Sequence, residues 1–498
     1  MLIQKIKKNV CPILVVALII GLFISGRETS AASSDFYIQD GILVKYNGKG
    51  GVVKIPNTVK EIGTDAFITS NITAVIIPKS VKKIGVNAFM SCTKLKEISI
   101  PASVTKIETR AFCNCEKLVT VKIANKKIII ENEVFANTKW VKNFKDDYVV
   151  INGNLIYYKG DDPILTIPKN VRIICGGAFN DLEGLEKVTI PNSVEIIGKE
   201  AFNQCMDLRK VTMADSVVEI GDYAFNQNYS LQNIEFSKNL KKIGDVAFYE
   251  TGLINISFPK SLKIIGDSAF EETPWVENAT DEFLIRNNIL FKYNGNKKNV
   301  VIPDGVTTIM NDVFFEKKIK SVTMPDSVKY IHSLAFCKCY ELTSIKLSPS
   351  IISIGNYAFS NCSKLTKITL PSNLKTIGDE AFSNTGLKSI VIPEGVTTIG
   401  HMAFDWCTSL EKFTLASTVK NFGYSIFYNT DIKKFIIANG TKKLVYIEGV
   451  NNLVVPNSVV TFDSAYSKWG NNVTFTCKKD SKAYKFAKKN NIKIKLMK

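Results

Sequence analysis

The chain has 498 residues, of which 45 % are hydrophobic, 10 % aromatic and 22 % charged, a composition that supports a continuous core and excludes an intrinsically disordered chain. The net charge of +18 comes almost wholly from lysine, because arginine is confined to Arg27, Arg110, Arg172, Arg209 and Arg286. Lysine-rich surfaces favour diffuse attraction to anionic polymers over bidentate reading of bases or phosphates.

The N-terminus is typical of an export signal. Three lysines within residues 5–8 precede an apolar run at 12–25, and small residues follow at 29–33. The run is shorter than the ~20 residues of a membrane span, which favours cleavage over an uncleaved anchor, the alternative interpretation. Cys11 precedes the run, whereas a lipoprotein cysteine would follow it. We therefore predict a signal peptide at 1–32, no lipid anchor, and a secreted or cell-surface protein without a membrane span.

A phenylalanine then recurs every 22 or 23 residues, apart from two intervals of 44 residues, which are two periods each. Each copy contains a short alternating apolar stretch, a proline, a polar turn, Val-x-x-Ile-Gly and Ala-Phe-x-x-Cys. A unit this short cannot bury its own apolar face, so the repeats must stack into a solenoid with one continuous core. The recurrent positions are Phe67, Phe89, Phe112, Phe135, Phe179, Phe202, Phe225, Phe248, Phe270, Phe314, Phe336, Phe359, Phe382, Phe404 and Phe427.

One copy, residues 185–205, shows the physical role of each part. The alternation in "LEKVTI" predicts a half-buried strand, which Pro191 ends because proline cannot donate to a strand ladder. Phe202 is expected to fill the interior, and Cys205 to behave as a small apolar residue. We expect the same core role at Phe89, Phe202, Phe225, Phe248, Phe336, Phe359, Phe382 and Phe404.

The pattern "IPxSVxxIGxxAFxxCxxL" resembles the BspA-like leucine-rich repeats of bacterial surface and secreted proteins, over about residues 36–475. The resemblance implies a β-rich α/β solenoid. In this family 22–23-residue units form a right-handed superhelix, with a parallel sheet on one side and short helical turns or irregular segments on the other. Such scaffolds serve adhesion, ligand binding and purely structural roles, so the fold alone does not assign the function.

The two long intervals divide the predicted solenoid, residues 33–475, into blocks at 33–137, 138–272 and 273–475. Their inserts, near 138–167 and 273–302, alternate in polarity around "NGN" and "RNN" and predict β-hairpins. We interpret them as rungs of altered shape; the alternative is a pair of aromatic binding pockets around Trp140 and Trp275. Residues 476–498 are predicted to form a C-terminal cap, with a helix of about three turns within 480–495.

Little in the sequence points to catalysis, a metal or a cofactor. Six cysteines lie three residues after their phenylalanine, which favours buried, reduced thiols in a structural column. His332 and His401 are far apart in sequence and are interpreted as polar corner residues rather than catalytic bases. The acidic pairs at 161–162 and 281–282 are typical of turns. We predict no enzyme and no cofactor; a catalytic site at the Trp140 or Trp275 insert is the rival hypothesis.

The sequence favours recognition of a partner through the outward positions of the predicted strands. They form columns of small hydroxyls and lysines, a pattern that also fits an ordinary solvated sheet face. The proposed binding residues are Lys187, Thr189, Lys210, Thr212, Lys367, Thr369, Lys412 and Thr414. The absence of stacking aromatics in these columns and the scarcity of arginine disfavour nucleic acid.

These features predict a monomeric, secreted or cell-surface binding protein of adhesin type. Its solenoid face would recognise an extracellular host-matrix protein, a glycan or an anionic cell-wall polymer. The alternative function is that of a structural envelope protein, held electrostatically on anionic wall polymers.

Overall fold

The computed structural model describes residues 35–444, 450–462 and 473–497. The predicted signal peptide, residues 1–32, lies outside this part of the chain. The chain divides into two compact units: unit 1 comprises the residues up to Leu253 together with Ser261–Ala269, and unit 2 comprises Ile254–Lys260 and the residues from Phe270 onward. Each is a solenoid of stacked rungs. The predicted three-block division stays a prediction.

Most rungs cross two parallel sheets. One strand precedes the repeat proline and pairs with its counterparts in an upstream sheet, whereas a shorter strand formed by the Val-x-x-Ile segment pairs in a downstream sheet. In the upstream strand, buried and outward side chains alternate, as in Lys187–Ile190, where Val188 and Ile190 are buried. The solenoid predicted from the repeat is confirmed, but its second side consists of short strands and turns where the family resemblance implied helical or irregular segments.

Unit 1 contains two upstream and two downstream sheets, with strands numbered in chain order. The upstream sheets consist of β3 (Gly51–Lys54), β5 (Ile72–Ile76), β7 (Glu97–Ile100) and β9 (Thr120–Ile123), and of β13 (Ile164–Thr166), β15 (Lys187–Ile190), β17 (Lys210–Met213) and β19 (Asn233–Ile234). The first downstream sheet consists of β1 (Phe36–Gln39), β2 (Ile42–Tyr46), β4 (Glu61–Ile62), β6 (Lys83–Ile84), β8 (Lys106–Ile107) and β10 (Ile129–Ile130). The second consists of β11 (Tyr148–Ile151), β12 (Asn154–Tyr158), β14 (Ile173–Ile174), β16 (Ile196–Ile197), β18 (Glu219–Ile220), β20 (Lys242–Ile243) and β21 (Ile264–Ile265).

Unit 2 repeats this plan. Its upstream sheets consist of β24 (Asn299–Val301), β26 (Ser321–Thr323) and β28 (Ser344–Lys346), and of β31 (Ser389–Val391), β33 (Lys412–Leu415), β35 (Lys434–Ile437), β37 (Asn452–Val454), β39 (Thr474–Cys477) and β40 (Lys493–Leu496). Its downstream sheets consist of β22 (Phe283–Arg286), β23 (Ile289–Tyr293), β25 (Thr308–Ile309), β27 (Tyr330–Ile331), β29 (Ser353–Ile354), β30 (Thr376–Ile377), β32 (Thr398–Ile399) and β34 (Asn421–Phe422), and of β36 (Lys443–Leu444) with β38 (Thr461–Phe462).

Both inserts contain an antiparallel hairpin, β11 with β12 and β22 with β23. The turn residues Asn152-Gly153 and Asn287-Asn288 all have positive φ, between 50° and 75°. Two successive residues with positive φ give the turn twist that matches a two-residue hairpin, which explains the Asn and Gly at these positions. The second strand of each hairpin then pairs in parallel with the next rung, so the hairpin starts a new downstream sheet.

The repeat phenylalanines stack face to face through the interior. In unit 1 the Phe202 ring lies 4.8 Å from that of Phe179 and 5.2 Å from that of Phe225, within 7° of parallel. The hairpins continue this column with tyrosine, since the Tyr158 ring packs at a tilt on Phe179 at 5.4 Å and the Tyr293 ring on Phe314 at 5.1 Å. The following phenylalanines are fully buried: Phe89, Phe202, Phe225, Phe248, Phe336, Phe359, Phe382 and Phe404.

The cysteine column satisfies buried backbone carbonyls. The Cys205 thiol donates to the carbonyl oxygen of Phe179, one rung earlier, at 3.1 Å. Where the cysteine is replaced, Thr251 or Asn228 donates to a phenylalanine carbonyl of the same column. Burial raises the pKa of the Cys205 thiol to about 12, so the thiol keeps its proton. These cysteines are therefore structural donors as well as small apolar side chains.

Three helices occur in the described residues: α1 (Lys139–Lys142), α2 (Pro274–Glu277) and α3 (Lys482–Lys489). The last is the predicted capping helix, with Ala483 and Ala487 buried and Ser481 at its N-cap. It is shorter than predicted, because Asn491 takes a positive φ of 57° and Ile492 onward follows strand alternation. β40 pairs in parallel with β39, so the chain adds a strand to the sheet after the helix.

Candidate functional site

In unit 1, four of the proposed binding residues lie on two neighbouring strands in register. Lys187 is the direct partner of Lys210, and Thr189 is the direct partner of Thr212. The four side chains alternate with buried residues such as Val188 and are exposed or half-buried. Two ammonium groups therefore stand side by side on strands about 4.8 Å apart, with a parallel row of hydroxyls beside them.

In unit 2, the remaining four residues are not all in one ladder. Lys412 and Thr414 lie on β33, where Lys412 pairs with Ser389 on one side and Lys434 on the other. Lys367 and Thr369 are exposed but belong to no strand, because the upstream ladder ends at β28 and restarts at β31. The structure thus brings the proposed residues together in two short groups, one in each unit, and leaves Lys367 and Thr369 outside both ladders.

Charged residues on the downstream sheet of unit 1 are arranged differently. Lys83 Nζ lies 2.7 Å from Glu61 and 3.4 Å from Glu108, and Lys106 Nζ lies 2.7 Å from Glu131. These lysines are neutralised by acids on adjacent rungs. Lys83 and Lys106 are direct partners across two strands, as are Lys187 and Lys210 upstream. Like charges opposite each other cost stability in a sheet, and in the described residues no ion pair to an acid offsets the upstream pair. The upstream lysines are therefore the better candidates for an external anionic partner.

The tryptophans of the two inserts pack inside the protein. Trp275 is only 8 % exposed, and its ring lies 5.0 Å from Phe291 and 5.8 Å from both Phe258 and Phe270. Trp140 is half-buried and packs edge-on against Phe135 at 5.1 Å. Both therefore serve as packing residues, and the geometry gives no support to the alternative of binding pockets around them.

The chemistry expected of an active site is not assembled in the described residues. One acid of each insert pair has a close partner: Asp162 accepts a hydrogen bond from the Tyr158 hydroxyl at 2.8 Å, and Glu282 contacts Lys297 at 2.9 Å. His401 Nδ1 accepts from the backbone N–H of Tyr424. Within the same ranges, no group of three or more His, Cys, Asp or Glu is placed to hold a metal ion.

The ten cysteines of the described residues are free and buried. In that part of the chain, no helix combines the length and apolar character needed to cross a membrane.

Unit 2 also contains a cleft of about 390 Å³ beside its first hairpin. Asp312 lies in its wall with Lys292, Lys317, Tyr293 and Phe315. Burial raises the pKa of the Asp312 carboxyl to about 6, well above its ordinary value. The carboxyl group is therefore still mostly ionised at pH 7, but its charged form is less stable in the fold than in water.

We predict that Asp312 makes unit 2 less stable as the pH rises. The pKa of Asp312 is higher in the folded protein than in the unfolded chain. The contribution of its protonated form to the free energy of unfolding is therefore fully present below about pH 4 and is lost as the pH rises through about 6. Asp312→Asn should raise the unfolding midpoint at pH 7 by about 2 to 4 °C, after allowance for solvent screening, and leave it nearly unchanged at pH 4.

The measurement is thermal unfolding followed by circular dichroism at both pH values. Asp326→Asn, at an exposed turn of the same unit, is the matched control and should change neither midpoint. An equal effect of Asp312→Asn at pH 4 and pH 7 would show that the carboxyl charge is not the cause.

A group of exposed aromatic residues in unit 2 was missed by the sequence reasoning. Trp406, Tyr424 and Tyr428 are each about half exposed or more. They lie in two successive rungs, since the N–H of Trp406 donates to the carbonyl of Tyr428 at 2.7 Å. The sequence feature that could have indicated this group is Trp406 itself, a tryptophan at a repeat position where the neighbouring copies have lysine or asparagine.

Comparison with known proteins identifies the repeat. The family described as "BspA type Leucine rich repeat region (6 copies)" matches residues 49–145, 150–276, 285–405 and 375–464. No curated protein matches the chain.

Several solved bacterial structures are similar to it. A leucine-rich repeat protein from Bacteroides ovatus is 25 % identical over 92 % of this chain and 94 % of its own, with a TM-score of 0.28. A leucine-rich cell surface protein from Faecalibacterium prausnitzii is 24 % identical over 80 % and 96 %, with a TM-score of 0.25. The pneumococcal vaccine antigen PcpA is 17 % identical over 93 % and 96 %, with a TM-score of 0.27. With its stacked 22–23-residue rungs and a family match that extends from residue 49 to residue 464, this chain belongs to the BspA-type leucine-rich repeat family.

Proposed function

We propose that the protein is a non-catalytic binding protein of the cell exterior, which recognises an anionic extracellular partner through the outward face of its upstream sheets. The observation that carries the proposal is the in-register pair Lys187 and Lys210, next to the hydroxyl pair Thr189 and Thr212. Like charges in direct register are unfavourable for the fold, and no acid of the described residues forms an ion pair with these two lysines, so an anionic partner gives them a function. The export-like N-terminus and the family support an extracellular location.

Three classes of partner are long molecules that carry repeated negative charges: an anionic wall polymer, an acidic glycan and an acidic matrix protein. A solenoid suits such partners because its rungs repeat the same outward side chains at a constant interval. Lys412 and Lys434 form a second like-charged pair in unit 2, also in direct register. We therefore propose two binding groups of the same chemistry, one in each unit.

The test compares two double variants that remove the same charge from unit 1. Lys187→Gln with Lys210→Gln should weaken binding to an immobilised anionic wall polymer or sulfated glycan by about tenfold at low salt. Lys83→Gln with Lys106→Gln removes lysines that are already paired with acids, and should change the affinity by less than about threefold. Affinity is measured by biolayer interferometry at about 0.05 M and 0.5 M salt.

The outcomes separate the proposal from its rivals. Equal losses in both double variants would attribute binding to net charge and contradict a specific upstream face. Release of the protein from intact cells by high salt, without affinity for any soluble glycan or matrix protein, would favour the structural envelope role.

A further inference from the structure

A second surface of unit 2 differs in chemistry from the basic strand face. We define the aromatic patch as Met402, Trp406, Tyr424 and Tyr428, which are all exposed, with Trp406 52 % and Tyr424 66 % exposed. The patch lies on the turns that follow the downstream strands, at the rungs of Phe404 and Phe427. Large aromatic side chains gathered on a surface mark a binding site more often than solitary ones do.

Each of the two tyrosines of the patch has one ring contact with a residue of the neighbouring rung. The rings of Trp406 and Tyr428 lie 6.4 Å apart and nearly perpendicular, at 73°. The rings of His401 and Tyr424 lie 3.7 Å apart, and the backbone N–H of Tyr424 donates to His401 Nδ1 at 3.1 Å. The backbone of Met402 donates to the carbonyl of Tyr424. The aromatic faces are therefore held by the solenoid backbone and do not depend on a loop.

The fold does not explain the tryptophan in this patch. Trp406 has a φ of 53°, in the left-handed region, two residues after its repeat phenylalanine. The equivalent residues of nearby rungs are Lys338, Asn361, Asn384 and Asn429, and Asn361 and Asn384 are joined by an amide hydrogen bond of 2.8 Å. Asparagine tolerates this conformation, whereas a bulky ring in it is strained. Other bulky residues, such as Val246 and Leu334, also take a positive φ in this solenoid, so what sets Trp406 apart is a large exposed ring where the nearby rungs have lysine or asparagine.

The surroundings of the ring are polar. Asn384 and Asn429, both exposed, occupy the equivalent positions on either side of Trp406. Next to it in sequence, Asp405 is 6 % exposed, and its Oδ1 has no hydrogen-bond partner. A buried acceptor without a partner is unfavourable for the fold. The patch thus combines flat apolar ring faces with the exposed amides of Asn384 and Asn429 and the hydroxyls of Tyr424 and Tyr428.

We propose that the aromatic patch binds the sugar rings of a neutral polysaccharide. One face of a hexopyranose carries C–H groups that pack against an indole or phenol ring, while its hydroxyls point outward to the amides and tyrosine hydroxyls at the ring edges. A patch confined to two rungs is too small for a stable protein interface, which buries about 800 Å² on each partner. The site is separate from the basic strand face and does not rest on the function proposed for it.

The test uses neutral hexasaccharides of glucose, mannose, galactose and N-acetylglucosamine as probes, with the purified full chain. The wild-type protein should bind at least one of them in isothermal titration calorimetry, and Trp406→Ala should weaken that binding at least tenfold. Trp406→Phe should retain most of it, because a ring face remains. Tyr340→Ala, which removes another exposed aromatic ring of unit 2, is the matched control and should bind as the wild type does.

Two results would overturn the proposal. One is failure of the wild-type protein to bind every probe, and the other is unchanged binding by Trp406→Ala. Binding to the neutral probes should also be insensitive to salt, whereas binding through Lys187 and Lys210 should weaken with salt. Failure of one site is therefore distinguishable from failure of the other.

Discussion

Phe202→Ala should remove about 3–5 kcal/mol from the free energy of unfolding of unit 1. The ring is fully buried and stacks between Phe179 and Phe225 at 4.8 and 5.2 Å. Its loss leaves a cavity that neighbouring rungs cannot close, because their own side chains are fixed by the same column. The free energy is measured by denaturant unfolding followed by circular dichroism.

The damage should also be local. In a solenoid each rung contacts mainly its neighbours, so stability is lost first at the altered rung and those adjacent to it. Hydrogen exchange should show lost amide protection near Phe179 and Phe225, with protection retained near Phe89. Tyr229→Ala, a change at a half-exposed ring of the same unit, is the control and should cost less than about 1 kcal/mol. If the two variants lose the same free energy of unfolding, the phenylalanine column is not the main source of the stability of unit 1.

The repeat period was sufficient to predict this column, because a large apolar residue at constant spacing has to stack. The tyrosines of the hairpins were not predicted as members of it. Tyr158 follows Phe135 by 23 residues but precedes Phe179 by only 21, and its flanking sequence is that of a hairpin strand. The two apparent interruptions are therefore rungs of the same interior.

The outward positions of the upstream strands were predictable in part. Alternation places Lys187 and Lys210 on one face, and the 23-residue repeat brings them into register. The same reasoning assigned Lys367 and Thr369 to a strand, but ladder pairing depends on backbone hydrogen bonds to both neighbouring rungs, and a sequence pattern does not report these. The backbone of the preceding residue, Thr366, accepts one such bond, from Lys388 at 3.3 Å.

The aromatic patch required knowledge of which repeat positions lie at the surface. The sequence does not show which of Trp406 and Trp275 is exposed, and the position of Trp275 in an insert suggested a binding pocket there. The structure places Trp275 in the interior and Trp406 outside, because Trp275 lies in the short helix α2, capped by Thr273, whereas Trp406 occupies the left-handed position of a repeat turn.

This contrast supplies the second prediction. Trp275→Ala should lower the free energy of unfolding of unit 2 by about 3–5 kcal/mol, because the ring fills the space between Phe258, Phe270 and Phe291. Trp406→Ala is the same chemical change in the same unit, at a side chain that is half exposed, and should alter stability by no more than about 0.5 kcal/mol. Denaturant unfolding of both variants measures the difference.

For saccharide binding, we expect the larger effect at Trp406, whereas for stability we expect it at Trp275. Trp406→Ala should lose binding while remaining folded, whereas Trp275→Ala should bind as the wild type does under conditions in which unit 2 is still folded. A folded Trp275→Ala variant that had lost binding would place the ligand at the insert and would restore the interpretation of Trp275 as a pocket residue. Equal losses of stability in the two variants would instead contradict the assignment of Trp275 to the core and Trp406 to the surface.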